Sequence, residues 1–97
     1  MSKFKYEKAH AKARALNRYN LKFSNKDLIN LVNSIKNGET LFSGNVTNNV
    51  SYHVIKYDNK TIAVLLDEKR NVIKTVLKLW HRVTLKDGKV ISGKEFK

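Results

Sequence analysis

The hydrophobic period of this chain changes once, and that change limits its fold more than any other feature. Up to Gly38 apolar residues recur at helical spacing; beyond it they alternate or run in short blocks, as strands do. Residues 3–20 are rich in Ala, Lys, Arg and Leu, all good helix formers. On a helical wheel Tyr6, Ala9, Ala13, Leu16 and Tyr19 share one arc, which reads as the buried stripe. His10, Arg14, Asn17 and Arg18 lie on the neighbouring arc. A second helix starts at Ser24, an N-cap with Asp27 three residues on as its reciprocal partner. Leu28, Ile29, Leu31, Val32 and Ile35 carry its apolar face, and Asn37-Gly38 supplies the stop.

After the switch, residues 40–46, 50–57, 61–66 and 72–83 read as strands, being β-branched, aromatic or apolar. Asp58-Asn59 is a tight turn, 67–71 a polar turn, and Asp87-Gly88 a further hairpin signal before a short edge strand at 90–91. The expected class is α+β: two N-terminal helices packed on one face of a four-stranded, or at most five-stranded, antiparallel sheet. The length suits one domain over 1–97, with 84–97 as a C-terminal extension or hairpin.

The charge is large and uneven. Residues 1–22 carry seven bases and one acid (+6), residues 23–68 four bases and five acids (−1), and residues 69–97 nine bases and two acids (+7). If the two ends meet in the fold they form a positive surface that attracts a polyanion. Nucleic acid, RNA above all, is the expected partner; an anionic membrane surface is the lesser alternative. With no cysteine, disulfides, thiolate zinc sites and a Cys nucleophile are excluded, which fits a reducing, cytoplasmic setting. No apolar run approaches the roughly 18 residues a membrane span needs, and the N-terminus lacks the apolar core of a secretory signal.

Few chemistries suit the residues present. His10, Arg14 and Arg18 stand at i, i+4 and i+8, so they project from one side of the first helix. An imidazole moves protons near neutral pH, and a guanidinium holds phosphate bidentately and stabilises charge that develops on it. The plain alternative is a solvated basic face that happens to hold a histidine. Period-2 alternation places Ser51, His53, Ile55 and Tyr57 on one face. It likewise places Ile73, Thr75, Leu77, Leu79 and His81 on the face the helices are expected to cover. His53 and His81 equally fit half-buried histidines with structural hydrogen bonds. Lys74, Lys78 and Arg82 form a basic stripe on the other face of the last strand. Lys12, Lys56 and His81 complete the candidate nucleic-acid contacts. Trp80 and the four tyrosines read as core or rim more readily than as base-stacking platforms. The three histidines have no neighbouring acids that would make a metal cluster. There is no phosphate-cradling or dinucleotide-binding glycine loop, so no metal and no cofactor is expected.

The stretch AHAKARALNRYNLKFSNKDLINLVNSIKNGE, residues 9–39, with VIKTVL at 72–77, resembles the compact RelE-like and barnase/EndoU/colicin-type ribonucleases (the BECR superfamily). Its members often open with a helix carrying a histidine and basic residues. A second helix that begins with Ser and ends at Gly follows, then a four-stranded antiparallel sheet whose last strand reads apolar-x-Thr-apolar. The resemblance covers roughly residues 9–78. It implies a metal-independent endoribonuclease in which the 2′-hydroxyl of RNA attacks its own phosphate, leaving a 2′,3′-cyclic phosphate and a 5′-hydroxyl. His10 would be the general acid or base, and Arg14 with Arg18 would stabilise the crowded phosphate. Thr75 would orient the phosphate or nucleophile, and His53 or His81 would be the second proton-transfer group. Such proteins are often toxins with an acidic neutralising partner, or are carried by phages and mobile elements. Two other functions fit the same composition: a non-catalytic nucleic-acid-binding protein, and a small phage-type inhibitor that occupies a host or defence protein.

Overall fold

The computed structural model describes the backbone of residues 3–96 and side chains from residue 9 to residue 96. Two helices come first. α1 (Lys3–Tyr19) ends at Asn20, whose φ of 56° turns the chain back. α2 (Asn25–Lys36) starts on a complete capping box: the Ser24 hydroxyl accepts from the Asp27 amide at 3.1 Å, and Asp27 accepts from the Ser24 amide at 2.8 Å. It stops before Gly38, which takes the left-handed φ of 77° that only glycine adopts at no steric cost. Leu28, Leu31, Val32 and Ile35 are buried and Ile29 is exposed, so the buried face of α2 is narrower than its run of apolar residues.

α1 buries a different stripe from the one its sequence suggests. Ala11 and Ala15 are fully buried, whereas Ala9, Ala13 and Leu16 are exposed; Tyr6 lies outside the described side chains. The two alanines lie one turn apart and are small, which lets the helix backbone come close to the sheet. Tyr19 at the end of α1 is anchored by its hydroxyl, a directional contact that fixes the rotation of the helix and that the apolar pattern does not encode.

The main sheet has four antiparallel strands in sequence order: β1 (Phe42–Asn45), β2 (Val50–Tyr57), β3 (Lys60–Asp67) and β4 (Val72–Leu77). Asp58 and Asn59 both have positive φ, 49° and 63°, as a two-residue hairpin turn between β2 and β3 requires. Both helices cover one face. There Ala11, Ala15, Leu28, Leu31, Val32 and Ile35 meet Ile55, Ile62, Val64, Leu66, Ile73 and Val76.

Two features of β4 correct the sequence expectation. The strand ends at Leu77, not at Val83, because the Tyr19 hydroxyl enters the β3–β4 ladder there. It donates to the Leu77 carbonyl at 2.5 Å and accepts from the Ala63 amide at 3.2 Å. A bulge also lies within the strand. Leu65 pairs with Thr75 but Leu66 pairs with Ile73, so Lys74 is the extra residue. The extra residue inverts the alternation. Ile73 and Val76 face the helices, while Thr75 and Leu77 share the opposite face with their partners Leu65 and Ala63. Thr75 and His81 are therefore not under the helices.

The opposite face is covered by the C-terminal segment. β5 (Val83–Thr84) pairs with β6 (Val90–Ile91) in a separate two-stranded sheet, and Gly93–Phe96 forms a 3-10 turn. The expected hairpin thus forms but adds no fifth strand to the main sheet. Val83, Leu85, Ile91 and Phe96 pack on Tyr52, Val54, Ala63 and Leu77 as a second core. No helix among the described residues is long and apolar enough to cross a membrane.

Candidate nucleic-acid interface

β4 is an edge strand, and α1 packs mainly upon it. The Leu77 carbonyl is turned toward β3, since Tyr19 bridges it to the Ala63 amide. Carbonyls alternate in direction along a strand, so that of Val76 points outward, to the free edge. Arg18 Nη1 donates to it at 2.7 Å. The guanidinium of Arg18 therefore lies along the outer edge of β4. Arg14 and His10, one and two turns earlier, sit on the same side of α1. All three are half-buried, as is Lys12. Lys74, the bulged residue, and Lys78, the first residue past the strand, are exposed on the same part of the chain. Arg18 of α1 and Lys74 and Lys78 of the C-terminal third thus belong to one edge of the sheet.

The other predicted residues are dispersed around this edge. Thr75 is half-buried on β4, but on the face turned away from α1, so His10 and Thr75 flank the strand from its two sides. His81 and Arg82 are exposed in the connection between β4 and β5, and Lys56 is exposed near the end of β2. His53 sits on β2, with β3 between it and β4.

His53 is only 5% exposed and belongs to a continuous polar chain. Its Nδ1 lies 2.7 Å from the Ser43 hydroxyl, and its Nε2 lies 2.7 Å from the Ser51 hydroxyl. Ser51 donates to Glu68 Oε1 at 2.7 Å, and Lys36 Nζ donates to Glu68 Oε2 at 2.8 Å. These contacts fix the tautomer. A carboxylate only accepts, so the Ser51 proton is committed to Glu68 and Ser51 must accept from His53 Nε2–H. Nδ1 is then the acceptor for the Ser43 hydroxyl, and Thr40, 2.9 Å away, donates to Ser43 in turn. Burial is the main reason the His53 pKa falls below the ordinary histidine value, with Glu68 opposing the shift and Lys36 reinforcing it. The Lys36 and Ser51 hydrogen bonds hold Glu68 below the usual carboxylate range. His53 is thus a neutral imidazole that ties β1, β2, and the turn after β3 to α2.

Alternation in sequence places Ser51 beside His53, but nothing local points to Ser43, Glu68 or Lys36. Those three join through strand register and helix placement alone. Trp80 is also misplaced by sequence reasoning: it is 65% exposed rather than part of the core or its rim. Comparison of the chain with protein-family models, with curated proteins and with solved structures found no significant match.

Proposed function

We propose that this chain binds RNA along the α1–β4 edge and acts there as a metal-independent endoribonuclease, with His10 as a proton-transfer group. The observation that carries this reading is the anchoring of Arg18 to the outward Val76 carbonyl, which sets Arg14 and His10 in line beside the edge strand. Arg14 and Arg18 would grip a phosphodiester and stabilise the charge that builds on it. The 2′-oxygen then forms a bond to phosphorus as the P–O5′ bond breaks. The His10 imidazole takes the 2′-hydroxyl proton or, as imidazolium, supplies the proton of the departing 5′-oxygen. Solvent water makes the complementary transfer, so that one proton leaves the 2′-oxygen and one reaches the 5′-oxygen. The buried, fully hydrogen-bonded His53 has no part in this scheme. The placement of Thr75 on the far side of β4 favours a second reading, in which the same edge binds RNA without cleaving it.

One experiment separates the two. Purified protein is incubated with total RNA in EDTA beside a His10→Ala variant, and fragment ends are analysed. Fragments with 2′,3′-cyclic phosphates, formed about 10²–10⁴-fold more slowly by His10→Ala, support catalysis. Salt-dependent binding with intact RNA supports the binding-only reading. Absence of RNA binding overturns both.

A further inference from the structure

Just past the end of β4, Trp80 projects into an open groove of about 610 Å³. Tyr19 and Leu79 supply the rest of its apolar lining, and Lys56, Lys60 and Lys94 stand around it. Among the described residues, no acidic side chain lines it. Lys78 Nζ adds a fourth cation, 5.5 Å from the centroid of the indole. The indole is held out on a pinned support. The His81 amide donates to the Lys78 carbonyl and the Lys94 amide to the Leu79 carbonyl, each at 3.0 Å. Lys60 Nζ donates to the Tyr19 carbonyl at 2.8 Å, which ties the end of α1 to the β2–β3 turn. Trp80 is exposed, while Leu79 beside it lines the same groove and also lies against Gly93. An exposed tryptophan on a fixed turn, ringed by cations, matches what an unpaired base with flanking phosphates needs. The ring offers a stacking face and the lysines neutralise the backbone. Tyr19, which lines the groove, directly follows Arg18 and bonds the last residue of β4 through its hydroxyl, so the groove lies at the end of that strand.

We infer that the Trp80 groove is a base-stacking subsite for single-stranded RNA, an inference that rests on the RNA-binding reading above. A duplex, whose bases are already stacked, engages only the lysines. Trp80 is the one tryptophan of the chain, so its emission reports this groove alone. The test titrates the protein with an unstructured 2′-O-methyl oligouridine, which lacks the 2′-hydroxyl nucleophile and so survives any cleavage activity. Inorganic polyphosphate and an RNA duplex serve as base-free and base-paired controls. The expected result is quenching of Trp80 emission by the oligouridine and none by polyphosphate or duplex. Trp80→Ala should weaken oligouridine binding, read by fluorescence anisotropy of the labelled oligomer, by roughly 5- to 100-fold, the worth of one stacked base. Trp80→Phe should retain most of the affinity, and polyphosphate affinity should be the same in all three proteins. Unchanged oligouridine affinity in Trp80→Ala, or equal quenching by polyphosphate, overturns the stacking subsite while leaving RNA binding at the α1–β4 edge intact. Failure of the unaltered protein to bind the oligouridine at all overturns RNA binding itself.

Discussion

Replacing Ser51 by alanine tests the buried chain around His53 at its narrowest point. Ser51 is 1% exposed, and its one oxygen serves two partners, accepting from His53 Nε2–H and donating to Glu68. The two losses differ in cost. Glu68 keeps Lys36 and has a third of its side chain open to water, which replaces the missing bond cheaply. The imidazole N–H has no such substitute, and an orphaned buried donor costs about 1–3 kcal/mol. Taking about 2 kcal/mol, at roughly 4–8 °C per kcal/mol for a domain of this size, Tm falls by roughly 8–16 °C. The unaltered protein should also show a defined pH dependence. Burial depresses the folded-state pKa of His53, so the folded protein keeps it neutral while the unfolded chain protonates it near its ordinary value of about 6.5. The unfolded state then binds more protons, and stability rises with pH across this window. The His53 contribution is complete above about pH 6.5 and is lost as pH falls from there toward the lower folded-state value. Glu68, held below the usual carboxylate range, keeps its charge over this range, and the part of the slope that belongs to the His53 imidazole is read by comparison with His53→Gln. Thermal unfolding followed by circular dichroism, from mildly acidic to neutral pH at fixed ionic strength, reads both effects. His53→Gln should flatten the slope. A Ser51→Ala protein that melts within about 2 °C of the parent at neutral pH would refute the assigned network. So would a His53→Gln protein with an undiminished pH slope.

Two further substitutions probe the second core. The Tyr52 hydroxyl is buried without a well-formed hydrogen bond to any of the described residues, and burial above all, with Tyr19 and Glu95 adding to it and the Gly93 backbone opposing, pushes its pKa up to about 12. Tyr52→Phe should therefore leave stability unchanged or raise it by up to about 1 kcal/mol in urea unfolding, and a loss above that size would reveal a partner for the hydroxyl. A Cβ at Gly93 would lie 2.7 Å from Leu79 Cδ1 and 3.3 Å from the Leu79 carbonyl, so Gly93→Ala should cost about 1–3 kcal/mol. It should also shift Trp80 emission, because Leu79 sets the turn that carries the indole; an unchanged spectrum would separate the C-terminal layer from the groove.

The sequence by itself determined the class and order of the elements. Helix-period apolar residues before Gly38, a capping box at Ser24, and a turn pair at Asp58-Asn59 are local signals. They act over three to eight residues, so their meaning survives without knowledge of the fold. The uneven charge was equally legible, since it requires only counting. Tertiary structure decided what these elements present to one another. The rotation of α1 is set by a tyrosine hydroxyl bonded 58 residues away, not by its weak apolar stripe, and this moved the buried positions to Ala11 and Ala15. One extra residue in β4 inverted a period-2 pattern and carried Thr75 to the other face, because alternation holds only while every residue is paired. The meeting of Ser43, His53, Ser51 and Glu68 depends on register across three strands, and the exposure of Trp80 on where β4 is cut short. Such contacts join residues far apart in the chain, and no local pattern encodes them because the energy that fixes them arises only when the layers have packed.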